Sequence, residues 1–430
     1  MASEIAIELD ARLAALEQHC SAIVGLENVR TTGPADAVAG IQPRLVVTPG
    51  TEQELAAVLC AADEKGLTVV PRGGGTKLGW GNLPARADVV LSTARLNRVV
   101  AHAWADMTAT VQAGCTVARL QQALAEHGQR LAVDALWPER ATIGGILATN
   151  DSGALRLRYG GLRDLIIGVT IALPDGTLAS SGGRVVKNVA GYDLQKLSTG
   201  AMGTLGIITQ ATFRVHPLPL KTRTRTLRVA NIEEVQRIML AIQDSQVAHS
   251  ALQVRLGSDA DTELDVLLEG TEAGIAWQET TIGKIGVGAA VVADDGNPWD
   301  ARERLFGETS GDASVGVAKL SILPAELETA VMTISQAATP WSVRWRAVIQ
   351  ATGLGCVRLQ GGPESVRLTL LDLRRHLQLA GDSLAILRQP PGAGLEAWGD
   401  AGDALPLMQA LKAQLDPHST LNPGRFVGGI

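Results

Sequence analysis

Alternating apolar and polar positions divide the chain into strand-like and helix-like segments. The first clear unit starts with the apolar run Leu45–Val47, passes Thr51, and continues into a helical pattern with one apolar face. Thr51, with Glu54 three residues later, predicts a capping box, and Gly66 predicts the end of the helix. The next strand, LTVVP, runs directly into three consecutive glycines. We therefore predict a βαβ unit that places a glycine-rich loop immediately after a strand.

The following segments predict a second, strand-rich block. DVVLST and RVVAHAWADMTATVQAGC are typical of strands, and VARLQQALAEHG is typical of a helix. A second glycine-rich segment, TIGGILATN, begins at Thr142. The sequence Pro174–Thr177 predicts a hairpin turn because proline, aspartate and glycine separate two alternating apolar runs. Pro217 and Pro219 mark the end of this block.

A change of pattern near residue 220 predicts a further domain. KTRTRTLRV predicts a strand, IEEVQRIMLAIQDS a helix, and ALQVRL and ELDVLLEG two more strands, an order typical of a sheet with helices on one face. The polar region 294–314 predicts a loop, and PLMQALKAQL predicts a helix that stops at Asp416. The expected division is an N-terminal helical segment (1–40), two domains (41–219 and 220–410) and a tail (411–430).

The composition is that of a globular protein and argues against some classes of partner. The 430 residues are 46% apolar and 19% charged, enough for more than one folded domain. A net charge of -6 argues against a broad nucleic-acid-binding surface. The longest apolar runs are shorter than the roughly 20 residues of a membrane helix, so no transmembrane segment is expected. Because the first residues are acidic and do not resemble a leader peptide, we expect a cytoplasmic location, with peripheral attachment to the inner membrane through partners as the alternative.

Cysteines and histidines show no spacing suited to a metal. Cys20, Cys60, Cys115 and Cys356 are scattered without a CxxC pair, so we expect core packing and neither a disulfide framework nor an iron–sulfur cluster on this chain. The seven histidines include no HxH or HxxxH pair, and no metal site is predicted. His418, in the C-terminal segment, is expected to be a surface side chain.

The glycine loop PRGGGTKLG, residues 71–79, is the first candidate for chemistry. Its spacing fits neither the Walker GxxxxGK[ST] motif nor the Rossmann GxGxxG motif. Consecutive glycines can form a nest of backbone N–H groups that holds an anion, with Arg72 and Thr76 adding a charge and a hydroxyl group. A plain tight turn is the alternative. Since the segment Thr142–Asn150 offers a second set of donors, the two loops together suit a dinucleotide.

The chain resembles the vanillyl-alcohol-oxidase-type FAD-binding proteins. The resemblance rests on PRGGGTKLG, TIGGILATNDSG, GVTIALPDGTLAS, GGRVVKNVAGYDLQKL, GTLGIITQATFRVHPLP and LDPHSTLNPGRF. It is dense from Leu45 to Pro219 and thin beyond, apart from the C-terminal tail, and within the superfamily it looks most like the smaller FAD-binding subunit of bacterial glycolate oxidase. It implies an α+β fold, in which a two-lobed PCMH-type FAD-binding domain precedes a C-terminal α+β cap-like domain.

The resemblance also implies how FAD is held. The first loop would cradle the pyrophosphate, the second would lie along it from the other side, a later strand would bind the adenine and ribityl portion through main-chain groups, and the tail would approach the flavin ring. Relatives that tether FAD covalently use a histidine at the first loop, where this chain has Thr76, so non-covalent FAD is expected. The implied cofactor-binding residues are Arg72, Gly73, Gly74, Gly75, Thr76, Thr142, Gly144, Gly145, Ile207, Ile208 and Asn422.

Catalytic residues are less well defined by the sequence. Lys187 and Tyr192 lie in a polar cluster, where a lysine could stabilise negative charge on a reduced flavin; a surface lysine and a core tyrosine are the alternatives. Oxidation of a 2-hydroxy acid needs a base for the hydroxyl proton and a cation for the carboxylate. The counterpart of the histidine-bearing segment of hydroxy-acid dehydrogenases, Trp345–Gly362, contains no histidine. The arginines of this region, which suit either a cationic face or a solvated or partner-facing surface, are Arg344, Arg346 and Arg358.

The function implied by the resemblance is that of a glycolate oxidase subunit, which oxidises glycolate, a 2-hydroxy acid, to glyoxylate. The implied partners are a larger homologous FAD subunit, which supplies the catalytic base, and an iron–sulfur subunit or another electron acceptor. One alternative is a self-sufficient FAD-dependent dehydrogenase of a 2-hydroxy acid or sugar alcohol. The others are a non-catalytic, flavin-stabilised assembly subunit and a nucleotide-binding module unrelated to flavin.

Overall fold

The described residues form two compact units. The computed structural model describes residues 2–183, 193–292, 296–308 and 313–430, with side chains from residue 7 onward. Each unit combines helices and strands around cores of its own. The domain boundaries expected from the sequence stay predictions. Unit 1 comprises Met1–Ser152, Gly161–Leu218 and Asp400–Ile430, and unit 2 comprises Gly153–Gly160 and Pro219–Gly399.

The regular elements of the described residues follow the apolar patterns of the sequence. The helices are α1 (Ala2–Val24), α2 (Glu52–Glu64), α3 (Val117–Ala125), α4 (Ile143–Thr149), α5 (Arg156–Tyr159), α6 (Leu162–Leu165), α7 (Leu194–Ser198), α8 (Ile232–Gln243), α9 (Glu272–Ile285), α10 (Ala301–Arg304), α11 (Leu327–Ala338), α12 (Pro363–Leu379) and α13 (Leu405–Leu415). The strands are β1 (Val29–Thr31), β2 (Leu45–Val47), β3 (Val69–Arg72), β4 (Val89–Ser92), β5 (Val99–Ala103), β6 (Thr108–Gln112), β7 (Gln129–Arg130), β8 (Ile166–Ala172), β9 (Leu178–Gly182), β10 (Ile207–Arg214), β11 (His216–Pro217), β12 (Lys221–Val229), β13 (His249–Gly257), β14 (Ala260–Gly270), β15 (Ala290–Val292), β16 (Ser314–Ser321), β17 (Arg344–Gln350), β18 (Leu354–Gly361) and β19 (Ser383–Arg388).

The first sheet of unit 1 contains the predicted βαβ unit. Its strand order is β1-β2-β4-β3, in which β2, β4 and β3 run parallel, so the next strand along the chain lies between the two strands that α2 connects. Thr51 caps α2 by accepting a hydrogen bond from the Glu54 N–H at 3.1 Å, as predicted. The Glu54 carboxylate accepts from the Gly50 N–H at 2.6 Å, one residue before the position that a capping box requires.

The second sheet of unit 1 is antiparallel, with the order β5-β6-β10-β8-β9. The predicted hairpin joins β8 to β9: Gly176 has a φ of +83°, and the Asp175 carboxylate accepts from the Thr177 N–H at 2.9 Å. A left-handed residue of this kind favours glycine. Helices α3 and α4 pack against this sheet through a shared core that includes Leu120, Ile143 and Phe213.

Unit 2 contains one eight-stranded antiparallel sheet, β15-β12-β14-β13-β17-β18-β16-β19. Alternate residues of its central strands, such as Val254, Ala347 and Val357, share a core with residues of α8, α11 and α12. Since side chains alternate between the two faces of a sheet, these helices cover one face, as the sequence predicts. The polar region 294–314 is not wholly a loop, because its described part includes α10.

Candidate functional site

The two glycine-rich segments of unit 1 lie against each other. A side chain on Gly73 would place its Cβ 2.0 Å from the Thr142 Oγ1, and one on Gly74 would place its Cβ 1.8 Å from the Arg140 carbonyl oxygen. Both distances are far shorter than any real contact. Glycine is therefore needed at these positions because the Thr142 side chain and the Arg140 backbone occupy the space that side chains would need.

Successive N–H groups of the first loop are available to a ligand. Gly75 has a φ of +71°, and Gly74 and Gly75 are exposed. Within the described part of the chain, the N–H groups of Gly74, Gly75 and Thr76 donate to no acceptor. A left-handed residue among consecutive N–H groups is the arrangement of an anion-binding nest. The loop can thus hold a phosphate through its backbone.

The two glycines of the second loop have different roles: Gly144 packs against Ala113, and Gly145 lines the cavity. The Gly144 N–H donates to the Ala113 carbonyl at 2.8 Å, and a Cβ on Gly144 would lie 2.8 Å from that of Ala113. The Thr142 hydroxyl oxygen accepts from the Gly145 N–H at 3.3 Å and so caps α4. Gly144 therefore brings α4 close to the end of β6, and it is Thr142 and Gly145 that face the first loop.

A cavity between the two loops unites most of the residues that the sequence nominated. Ile207 and Ile208 lie instead at the start of β10, with buried side chains in two different cores. Lys187 and Tyr192 lie outside the described residues. The cavity is lined by Pro71, Arg72, Gly73, Gly74, Gly75, Thr76, Lys77, Leu78, Thr142, Gly145, Ala148, Thr149, Met202, Asn422 and Arg425.

The C-terminal tail supplies Asn422 to this cavity. The tail runs beside β3: the Val69 N–H donates to the Thr420 carbonyl at 2.7 Å, and the Asn422 N–H donates to the Val69 carbonyl at 3.0 Å. The Asn422 side chain is 5% exposed, and its Nδ2 donates to the Met202 carbonyl at 2.6 Å. Its Oδ1 is buried and accepts no hydrogen bond from the described residues. A buried acceptor without a donor is costly, so a bound ligand is its natural partner.

Arg425 is a site residue that the sequence analysis did not single out. Its side chain is 2% exposed, and its Nη2 donates to the Leu78 carbonyl at 2.7 Å and to the Trp80 carbonyl. Burial lowers the pKa of the guanidinium to about 10, so it stays charged at neutral pH. Arg425 thereby fastens the tail to the first glycine loop. Its signal was its position in the motif LNPGRF, three residues after Asn422.

A buried ion pair, also missed from the sequence, joins the two loops. The Lys77 Nζ lies 3.1 Å from an Asp151 carboxylate oxygen, and both side chains are buried. The ammonium also lies 5.6 Å from the Trp80 ring centroid and 5.3 Å from that of Trp137, within cation–π range. Lys77 follows the first glycine loop and Asp151 follows α4, so the pair links the two walls of the cavity.

The Arg72 guanidinium forms an ion pair with the Asp36 carboxylate. The Arg72 Nη1 donates to the Asp36 Oδ1 at 2.7 Å, and Arg30 donates to both oxygens of the same carboxylate at 2.7 Å. The bond from Arg30, with further donors from Gly33 and Arg72, lowers the pKa of Asp36 well below its usual range. Because Arg72 is shared in this way, the anion-binding capacity of the loop rests mainly on its backbone.

We predict that replacing Asp36 with asparagine (Asp36→Asn) lowers the free energy of unfolding by about 2 kcal/mol at pH 7, the scale of hydrogen bonds to charged groups. Since the pKa of Asp36 is lowered in the folded chain, the stabilisation is complete above the unfolded pKa, near ~4, and is lost as the pH falls further. Denaturant unfolding from pH 7 to pH 3 should show the difference between the two proteins narrow below about pH 4. Asp106→Asn, at an exposed residue, is the control; a gap that stays constant with pH would contradict the prediction.

The remaining candidates from the sequence are His418 and the segment Trp345–Gly362. His418 is exposed, as expected, and its imidazole bonds the Asp63 carboxylate at 2.9 Å, which raises the pKa of the histidine. Trp345–Gly362 forms most of the β17–β18 hairpin of unit 2. Across the ranges that the structure describes, no group of three or more histidine, cysteine, aspartate or glutamate residues is placed to hold a metal ion.

Comparison with known proteins agrees with this geometry. Residues 43–182, less than half of the chain, match the family model of the FAD binding domain. The solved structure of p-cresol methylhydroxylase with substrate bound superposes with a TM-score of 0.78 at 16% identity, covering 96% of each chain. The predicted PCMH-type fold is confirmed. The chain contains an FAD-binding domain, and FAD is its cofactor.

Curated relatives are named as enzymes of 2-hydroxy acids. Glycolate oxidase subunit GlcD of Bacillus subtilis is 32% identical over 211 residues, which cover 49% of this chain and 45% of that protein. D-2-hydroxyglutarate dehydrogenase of Xanthomonas citri pv. viticola is 27% identical over 423 residues, covering 89% of each chain. The first match thus spans less than half of the relative, whereas the second spans most of it. The chain is related to FAD-linked oxidoreductases.

Within the described residues, no helix combines the length and the apolar composition needed to cross a bilayer.

Proposed function

We propose that this chain is an FAD-dependent oxidoreductase of 2-hydroxy acids, and specifically a subunit that oxidises glycolate to glyoxylate. The observation that carries the proposal is the set of available N–H groups on Gly74, Gly75 and Thr76, which face the cavity that also receives the Asn422 Oδ1. A dinucleotide offers anionic oxygens to these N–H groups and polar groups to the Asn422 Oδ1. The similarity to Glycolate oxidase subunit GlcD supports the choice of glycolate.

The residues of unit 1 have distinct roles in this proposal. The first loop binds the pyrophosphate through its backbone, and Thr142 and Gly145 bound the same cavity from α4. Main-chain groups of Ile207 and Ile208 are assigned to the adenine and ribityl portion on the resemblance alone. FAD, when bound, supplies the acceptor for the hydride that leaves the substrate carbon. Since Thr76 stands where relatives carry a tethering histidine, the cofactor is proposed to be non-covalent and released by denaturation.

The proposed partners supply the catalytic base and the electron acceptor. A larger homologous FAD subunit would carry the base that removes the hydroxyl proton, and an iron–sulfur subunit or another acceptor would take the electrons. Lys187 and Tyr192 stay candidates on this chain. The cytoplasmic location also stays a prediction.

A second candidate function is a self-sufficient dehydrogenase of a 2-hydroxy acid. The alignment over 89% of both chains with a protein named D-2-hydroxyglutarate dehydrogenase favours it. In that case the chain itself holds the base, and no second flavin subunit is needed for reduction of its FAD.

Anaerobic reduction of the flavin distinguishes these functions. The FAD-loaded chain, alone and with the larger homologous FAD subunit, is mixed with glycolate or D-2-hydroxyglutarate, and the visible flavin band is followed. Bleaching by glycolate only with the partner supports the subunit, and bleaching of the chain alone supports the self-sufficient enzyme. A band that persists in every mixture contradicts oxidation of these acids and leaves an assembly role. A chain that stays colourless after incubation with FAD contradicts the cofactor site itself.

We further predict that Asn422→Gly weakens FAD binding about tenfold, the usual scale for losing one buried hydrogen bond. Asn422 has a φ of +46°, which glycine adopts without strain, so the change removes the amide and spares the backbone. Titration of the apo chain with FAD, read by quenching of flavin fluorescence, gives the affinity. Asn97→Ala, an asparagine of the same unit outside the cavity, is the control. Equal affinities of the two variants would show that the Oδ1 contacts no cofactor.

A further inference from the structure

One face of the sheet in unit 2 carries a row of arginines. The face opposite α8, α11 and α12 receives the alternate residues of the central strands, among them Arg346 on β17 and Arg358 on β18. These two residues are directly opposite in the strand register. Arg358 also pairs with Val317 on β16, which in turn pairs with Arg388 on β19. Three arginines thus follow one line across neighbouring strands.

This arrangement is unfavourable unless something compensates it. Side chains directly opposite in an antiparallel pair lie roughly 5 Å apart at Cβ, and like charges there destabilise the sheet. Arg358 is 9% exposed, and its burial, together with the charges of Arg388 and Arg346, lowers its pKa. A positively charged group that is both buried and flanked by two others needs a negative partner.

The described residues of unit 2 provide hydrogen bonds to this row but no ion-pair partner. The Arg358 Nη1 donates to the Leu305 and Gly307 carbonyls, each at 2.7 Å, and the Arg388 Nη1 donates to the Phe306 carbonyl at 3.3 Å. Carbonyl oxygens orient the guanidinium groups without neutralising them. Across the described residues, no carboxylate lies within 4.0 Å of the basic nitrogens of Arg346, Arg358 or Arg388.

Several acidic groups nearby already have arginine partners. Arg228 pairs with Asp261 and Glu263, and Arg255 pairs with Glu263 and Asp265. Of these groups, Arg255, Asp261 and Glu263 line a cleft that Arg344, Arg346 and Arg358 also line. The cleft has a volume of about 650 Å³, and Glu308 also lines it. Arg255 thus has carboxylate partners in this cleft, whereas no described carboxylate pairs with Arg344, Arg346 or Arg358, and Asp259 and Glu308 are the further carboxylates of its lining.

We propose that this cleft binds a small organic dianion with two separate acidic groups, a dicarboxylate. Arginine presents a planar fork of N–H donors that matches a carboxylate in bidentate fashion. In the cleft, Arg346 and Arg358 lie opposite each other on strands about 4.8 Å apart, and Arg344 lies two residues along β17, roughly 7 Å away, so the cleft offers cations at more than one point. A molecule with two carboxylates uses this spacing, whereas a single compact anion reaches only part of it. The site consists of residues of unit 2 and requires no bound FAD.

Isothermal titration calorimetry on the full chain tests the proposal, with succinate and malonate as probes and acetate and inorganic phosphate as comparisons. We expect saturable binding of at least one dicarboxylate, and binding about tenfold or more weaker for acetate, which engages one guanidinium instead of two. R346Q should weaken dicarboxylate binding about tenfold because it removes one guanidinium from the cleft. The Arg346 side chain is exposed, so the substitution should leave the fold intact. R358K keeps the charge but not the fork, and should weaken it as well. R375Q, an exposed arginine on α12, is the charge-matched control and should bind as the unchanged chain does.

Three results overturn the proposal: no saturable heat with either dicarboxylate, equal affinities of R346Q and R375Q, or phosphate binding as tightly as succinate. The flavin absorption of each sample is recorded in parallel. A chain that binds a dicarboxylate but stays colourless after incubation with FAD refutes the proposed oxidoreductase but keeps this site. A yellow chain without dicarboxylate binding does the opposite, so the two failures are distinguishable.

Discussion

Replacing Gly74 with alanine is expected to abolish retention of FAD and to lower the free energy of unfolding of the chain by about 3 kcal/mol. The new Cβ would lie 1.8 Å from the Arg140 carbonyl oxygen, which belongs to the backbone and cannot rotate away as a side chain would. The first loop must therefore move away from the start of α4. Such a movement displaces the N–H groups of Gly75 and Thr76 and separates the two walls of the cavity.

The matched control for this prediction is Gly79→Ala. Gly79 lies in the same loop region, and a Cβ there meets nothing within 4 Å. Flavin absorbance after gel filtration reports retention, and urea unfolding reports stability. If Gly74→Ala copurifies with as much FAD as Gly79→Ala, close approach of the two segments is not what the site requires. If both variants lose FAD, the loop needs flexibility and not merely the absence of a side chain.

The second large effect is expected for Lys412→Met, which should lower the free energy of unfolding by about 3 to 5 kcal/mol, the cost of leaving a buried charge unpaired. The Lys412 Nζ bonds the Asp416 carboxylate and donates to the Thr204 and Leu421 carbonyls at 2.8 and 2.9 Å. Burial lowers the pKa of the lysine, although the neighbouring carboxylate favours its charge. Without the ammonium, Asp416 stays buried among backbone donors with no cation beside it.

The consequence of this change should reach the cofactor site. Asp416 also accepts from the Thr420 and Leu421 N–H groups, each at 2.8 Å, and these residues precede Asn422. Loss of the ion pair should therefore loosen the tail beside β3, expose it to limited proteolysis, and weaken FAD binding. Lys284→Met, at an exposed lysine of α9, is the control. A tail as resistant to protease in Lys412→Met as in the control would contradict this role of the ion pair.

Several features follow from local chemistry, and the sequence was sufficient for them. The Thr51 cap, the hairpin at Pro174–Thr177 and the helix that stops before Asp416 each depend on residues within a few positions of one another. The glycine loop after β3 was recognised for the same reason, because consecutive glycines after a strand are a local signal. Its nest of N–H groups could be named before any partner segment was known.

The tertiary structure alone decided which residues share the cavity and how. Gly144 and Gly145 are neighbours in one motif, yet one packs against Ala113 and the other lines the cavity, because the contact of α4 with β6 selects between them. The pair formed by Lys77 and Asp151 joins residues far apart in the chain, and no periodicity relates them.

The position of β4 in its sheet and the arginine row of unit 2 were also decided by the tertiary structure. Local patterns predicted the strands, but strand order and register depend on pairing between distant segments, which hydrophobic alternation leaves undetermined. That register places Arg346 opposite Arg358 and so turns separate basic residues into one row. The sequence by itself determined the elements and the glycine-rich loop of this protein. Long-range packing decided the neighbours of each charged or buried polar group, since its energy depends on partners that the local sequence does not contain.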